Sequence, residues 1–268
     1  MRIPEFLRKP RTVVEIFIAG NLAFLAVDVY VAHLTNEFER KPEWLPVFFS
    51  IAAPIVLIAA NRIGGMIAGW LSLLVGIGGM LYHLQSHFFA EQTIHNLVYT
   101  APFVAPLAYA GLGFLLILDR MTDPDSIEWA QWVLFLTLGG FAGNLVLSLA
   151  DHAQNGFFNR GEWVPVVAAA LACAFLLMLV IRPDDAMLFR WTAWVMALQV
   201  LIGTLGFGLH LRANLMKPAA SMLDRFLYGA PIFAPLLFAN LAILAGIGMW
   251  GLRNACGSST AQTDTPVS

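Results

Sequence analysis

Charge is what this chain has least of. Lys and Arg number 15 and Asp and Glu 17 among 268 residues, 12% in all, about half the share found in soluble domains. So few charges cannot clothe a water-facing surface, which excludes a soluble globular domain. A net charge of −2, with no basic stripe that a phosphate backbone could follow, excludes nucleic acid as a partner. Only two cysteines occur. Cys173 falls within an apolar run and Cys256 in a polar tail, so pairing them would join two distant membrane depths, and no disulfide framework is expected. The sequence also lacks the alternating ten-residue segments of an outer-membrane barrel. It has no strand-preceded phosphate loop, no HExxH pair and no nucleophile with a paired base.

What is present is apolar. Hydrophobic residues make up 59% and the mean hydropathy is +0.73, and several runs reach the roughly 20 residues that cross the hydrocarbon as helix. Spanning segments are predicted near 13–34, 45–61, 63–85, 97–118, 130–151, 163–181, 189–210 and 226–251. The expected class is therefore an all-α membrane protein of eight transmembrane helices. The first run follows Arg2, Arg8, Lys9 and Arg11 and lacks a small-residue cleavage site, which predicts a retained first helix with a cytoplasmic N-terminus. Nine of the fifteen basic residues fall on that side, which predicts a bacterial inner-membrane protein with both termini cytoplasmic. The tail 253–268 is polar and expected to be disordered.

The chain also repeats itself. Residues 18–47, IAGNLAFLAVDVYVAHLTNEFERKPEWLPV, return as 141–166, FAGNLVLSLADHAQNGFFNRGEWVPV, and LVYTAPFVAPL at 97–107 returns as FLYGAPIFAPL at 226–236. Self-similarity at this spacing implies two copies of one folding unit. Four helices per copy set both copies the same way up. The expectation is a basic segment 1–12, a first four-helix repeat 13–118, a connection 119–129, a second repeat 130–252, and a pseudo-two-fold axis along the membrane normal.

The repeated polar residues mark a candidate site. All six histidines, His33, His83, His87, His95, His152 and His210, fall at the outer, predicted periplasmic, end of the bundle, with Asp28 and Asp151 just beneath. The repeat carries Asp28 onto Asp151, His33 onto His152 after a four-residue gap, and His83 onto His210. A carboxylate within the hydrocarbon is costly, about 2.5–3.5 kcal/mol at full depth, so keeping one per copy calls for a cation or a protonated histidine. Imidazole with carboxylate is a ligand set for zinc, iron or copper. His83 and His87 share a helical face if the helix continues that far, and His95 enters from the next segment. Asp28 and His33 lie about 140° apart around an ideal helix, so they converge on one ion only if the helix unwinds between them.

The expected function is transition-metal binding at the outer face through these eight residues, for transport, delivery or metal-dependent chemistry. A membrane or periplasmic protein partner would suit delivery. Two other readings stand beside it. His83 and His210 are candidates for the axial pair of a b-type haem in an electron-transfer subunit. Alternatively, the polar pairs lock helices together in a structural or assembly subunit without a cofactor. In APFVAPL and APIFAPL, Pro106 and Pro235 each remove a helix donor and free the carbonyls of Pro102 and Pro231, which predicts a kink in helices four and eight. Glu43 and Glu162 precede Pro46 and Pro165 and read as helix-start residues favoured by the N-terminal dipole. The glycines of GGMIAGW, GIGGM and GTLGFG read as close-packing surfaces.

Overall fold

A computed structural model describes residues 9–59 and 61–263, with side chains through Cys256. Ten α-helices follow in order: α1 (Pro10–Leu34), α2 (Trp44–Ala59), α3 (Arg62–Leu84), α4 (Ile94–Tyr99), α5 (Leu107–Met121), α6 (Ile127–Gln154), α7 (Trp163–Ile181), α8 (Ala186–Met216), α9 (Met222–Leu227) and α10 (Leu236–Thr263). No strand occurs among the described residues. Seven of the helices are long and apolar enough to cross a bilayer: α1, α2 with the 3-10 turn before it, α3, α6, α7 with its own 3-10 turn, α8 and α10. The chain is thus of the all-α class with the helices of an integral membrane protein.

Helix starts are written locally. Asn61 caps α3 by accepting from Gly64 N at 2.8 Å, Ser126 caps α6 through Trp129 N at 3.1 Å, and Asp185 takes Met187 N and Leu188 N at 3.0 and 2.9 Å. Each satisfies donors that a helix start leaves open. The outward faces are apolar. Ile58, Ile55 and Trp194 are 86%, 66% and 72% exposed, an arrangement that suits lipid and not water.

Packing runs pairwise. α1 lies on α2, α3 on α5, α6 on α7 and α10, and α8 on α7 and α10, while α5 with α6 and α1 with α5 and α10 close the centre. The core there includes Val14, Ile18, Leu115, Trp129, Phe141, Leu176 and Ala245, all fully buried or nearly so. α3 and α5 meet backbone to backbone. A Cβ on Gly113 would stand 2.8 Å from Leu73 N, and one on Gly69 would stand 3.0 Å from Gly113 O. The glycines therefore serve close helix contact, as small residues do where lipid provides no hydrophobic drive to associate.

Two expectations need correction. Residues 100–106 and 228–235 are not helical, so the chain at 97–118 and 226–251 breaks into a short helix, a turn and a longer helix instead of kinking. Pro102 and Pro106 lack backbone donors, and the chain between them closes in tight turns, Ala105 N to Pro102 O at 3.1 Å and Leu107 N to Val104 O at 2.9 Å, in place of helical bonds. The second correction lies at the C-terminus. α10 continues through polar sequence to Thr263, where composition had predicted disorder from residue 253. Leu252 and Ala255 are packed at 1% and 6% exposure, and extending a helix already nucleated costs little. Residues 1–8 of the basic segment and 264–268 of the tail lie outside the described residues.

Candidate functional site

The site begins with two chain reversals. After α1, Glu37 and Phe38 take left-handed conformations (φ 56° and 53°), and after α6, Gly156 and Phe157 do the same (φ 71° and 51°). A left-handed residue with a Cβ costs about 1–2 kcal/mol, so each reversal needs compensation. It comes from stacking. The Phe38 ring lies 4.0 Å from that of Trp44 and the Phe157 ring 4.1 Å from that of Trp163, near parallel in both cases. The same phenyl rings stand 5.8 and 6.0 Å from His33 and His152.

Each reversal returns a glutamate to the helix end it came from. Glu43, in the 3-10 turn Lys41–Glu43, accepts from Asn36 Nδ2 at 3.2 Å through Oε1. Only 8% of it is exposed, and its Oε2 is buried without a hydrogen-bond partner. Glu162 sits in the matching turn Arg160–Glu162. Its Oε2 is 3.6 Å from His152 Nδ1 and, in the amide orientation that satisfies both ends of Asn155, accepts from Asn155 Nδ2 at 3.0 Å.

The broken segments supply the next layer. His83, in the last turn of α3, donates from Nδ1 to Pro102 O at 2.9 Å, and His210 in α8 donates from Nδ1 to Pro231 O at 2.8 Å. These are the two carbonyls marked by the following prolines. A carbonyl can only accept, so Nδ1 carries the hydrogen and Nε2 is left with its lone pair whenever the ring is neutral. His33 is fixed in the same way, by Val29 O at 2.9 Å. Different side chains hold the carbonyl segments in place. Ser86 Oγ accepts from Ala101 N at 3.0 Å and shares a hydrogen with Thr100 Oγ1 at 2.7 Å. Asn214, 1% exposed, binds Ala230 from both sides at 2.9 and 2.7 Å.

These elements bring His33, His83 and Glu43 together at one mouth. The two imidazole rings are 6.2 Å apart, and His83 lies within electrostatic range of Glu43. The other mouth gathers His152, His210 and Glu162, with Asp151 in range of His210. Asp151 also lines a small crevice with Thr100, Ala101 and Pro102. Among the described residues no three His, Cys, Asp or Glu side chains stand close enough together, as placed, to hold a metal ion.

The remaining candidates stand apart. α1 stays helical to Leu34, so Asp28 does not converge with His33; its charge instead reaches the Tyr109 hydroxyl of α5. α3 ends at Leu84, so His83 and His87 do not share a helical face, and His87 is exposed in the turn that follows. His95, also exposed, stacks on Tyr99 at 4.5 Å and approaches Asn96 Oδ1 at 3.4 Å. Glu43 and Glu162 were missed as site residues because Glu-Trp-x-Pro at a helix start has the pattern of a dipole-favoured acid. The signal that could have found them is the repeat itself, which returns the acid together with Asn36/Asn155 and Phe38/Phe157. The chain matches no family model, no curated protein and no solved structure.

Proposed function

We propose that the outer end of the bundle binds a transition-metal ion through His33 Nε2, His83 Nε2 and Glu43 Oε2. A twin site is formed by His152, His210 and Glu162 beside Asp151. The observation that carries this reading is a buried carboxylate oxygen without a partner, within electrostatic range of His83, at the end of the bundle that holds two imidazoles whose Nδ1 atoms are committed to carbonyls. Metal-binding histidines are typically held through the second nitrogen in this way, which fixes the tautomer and aims the lone pair. Two imidazoles on one tetrahedral ion, with bonds of ~2.0 Å, place their centroids about 5 Å apart. The observed 6.2 Å asks for about an ångström of side-chain movement on binding. Two nitrogens and one carboxylate suit zinc, iron or copper, and three protein ligands leave a position for cargo, water or substrate.

The same reading takes Leu107–Met121 as an eighth span and 13–118 and 130–252 as tandem four-helix repeats about an axis along the membrane normal. The paired histidine–proline contacts and paired aromatic stacks support it. With α1 entering from the cytoplasm, the mouths open to the periplasmic side of an inner membrane, as transport, delivery to a partner protein or metal-dependent chemistry requires. The haem reading gains no support from the packing. α3 rests on α5, and α8 on α7 and α10, so His83 and His210 each belong to a separate helix group.

Elemental analysis with an absorption spectrum on the purified chain tests the proposal. The expected result is a stoichiometric transition metal, lost in the combined variant His83→Ala with His210→Ala while the protein stays folded. A red protein with a Soret band that vanishes in the same variant would instead establish haem. Metal content unchanged by the double variant would overturn the site, and a metal-free chain that loses only stability would establish the structural reading.

A further inference from the structure

The opposite end of the bundle carries a second polar assembly, unrelated to the metal reading. A cavity of about 260 Å³ is lined by Arg11 of α1, Arg62 of α3, Arg120 of α5 and the adjacent Met121, Thr122 and Asp123. Three guanidinium groups from three helices therefore meet one carboxylate at the lining. Two further acids stand behind them. Glu15 Oε1 pairs with Arg120 Nη2 at 2.9 Å, and Asp119 Oδ2 lies 3.7 Å from Arg11 Nε.

The arginines are seated but not saturated. Arg11 is held by Asp119 O at 3.1 Å and Thr122 O at 3.0 Å, with 40% of its side chain exposed. Arg120 Nε is buried without a hydrogen-bond partner, and the side chain rests over Gly65, where a Cβ would stand 2.8 Å from that nitrogen. Arg62 forms none of the ion pairs among the described residues. It also opens α3, whose first amides favour negative charge. Asp123, the one acid in the lining, spends Oδ1 on Asp125 N at 3.1 Å.

A membrane protein that concentrates arginines at one helix end, leaves a donor unpaired and keeps a cavity several times the ~30 Å³ of a water molecule has the features of an oxyanion site. Guanidinium groups recognise phosphate through paired N–H donors, and basic pockets between helices at this depth take phospholipid headgroups. Exposed Trp132, Trp191 and Trp194 belong to the interfacial ring expected at the level of lipid phosphates. We infer that Arg11, Arg62 and Arg120 form a binding site for a phosphate group, either that of an anionic phospholipid or free phosphate.

The test uses the full chain in detergent, titrated separately with short-chain phosphatidylglycerol, short-chain phosphatidylcholine and inorganic phosphate, with binding read by native mass spectrometry and melting temperature. The expected result is binding of phosphatidylglycerol but not phosphatidylcholine, weakened about tenfold or more in Arg62→Gln and reduced by added salt. Arg62 is exposed, so that variant retains the fold; Gly65→Ala, which crowds Arg120 without removing charge, provides a second reading and should weaken binding too. Competition by inorganic phosphate at comparable concentration would identify free phosphate as the ligand. Equal binding of the two lipids, or anion binding unchanged in both variants, would overturn the inference.

Discussion

Glu43 is the residue on which the proposed metal site turns. A carboxyl oxygen buried without a donor costs about 1–3 kcal/mol, and the fold tolerates this at Oε2 while satisfying Oε1 through Asn36. A bound cation would remove that cost. Glu43→Gln therefore has opposite effects in the two states. Without metal it should raise stability or leave it unchanged, because the buried charge is gone. In the presence of metal it should lower affinity by about tenfold or more, on the scale of ligand-shell losses. Parallel thermal melts with chelator and with zinc check both halves, and identical melts for wild type and variant under zinc would remove Glu43 from the ligand set. Binding also displaces protons from imidazole, so occupancy should fall on acidification. His33 and His83, which lie 6.2 Å apart, were legible as candidates from the repeat alone. The role of Glu43 was not, because burial of its carboxylate depends on a reversal through two left-handed residues that no local pattern encodes.

At the level of helices, hydropathy read the long elements well, and 163–181 coincides with α7. It failed where proline decided. The segment 97–118 contains enough apolar residues to span, yet two prolines four positions apart, Pro102 and Pro106, divide it, and the divided form serves the histidines by presenting Pro102 O and Pro231 O. Helix pairing also treats the repeated asparagines unequally. Asn21 of α1 accepts from Asn240 Nδ2 of α10 at 2.5 Å and donates to Phe17 O, whereas Nδ2 of Asn144, its partner in the sequence repeat, is buried in α6 without an acceptor. Leucine at the two pairs should then act in opposite directions. Asn240→Leu strands the Asn21 oxygen and should cost about 1–3 kcal/mol, while Asn144→Leu removes an unsatisfied donor and should gain about 1 kcal/mol. Melting temperatures in one detergent decide it, and shifts of the same sign would contradict the assignment.

Across the whole molecule, polar side chains cluster at the two ends of the bundle. His33, His83, His152 and His210 lie where α1, α3, α6 and α8 terminate, and Arg11, Arg62 and Arg120 line the cavity where α1, α3 and the loop after α5 meet. Composition showed that charge was scarce, and the spans showed at which depth each polar group falls. Which groups meet was hidden, since α5 with α6 and α1 with α10 bring distant sequence together.

The aromatic pile at each mouth has one more effect. His33, Phe38 and Trp44 form a continuous column, as do His152, Phe157 and Trp163, so each reversal joins an indole to an imidazole of the proposed site. The protein thereby carries a built-in optical gauge at both openings. Copper should dim the emission of Trp44 and Trp163 through these columns, and replacing each by phenylalanine should abolish that part of the response while the indoles at the far end go on glowing.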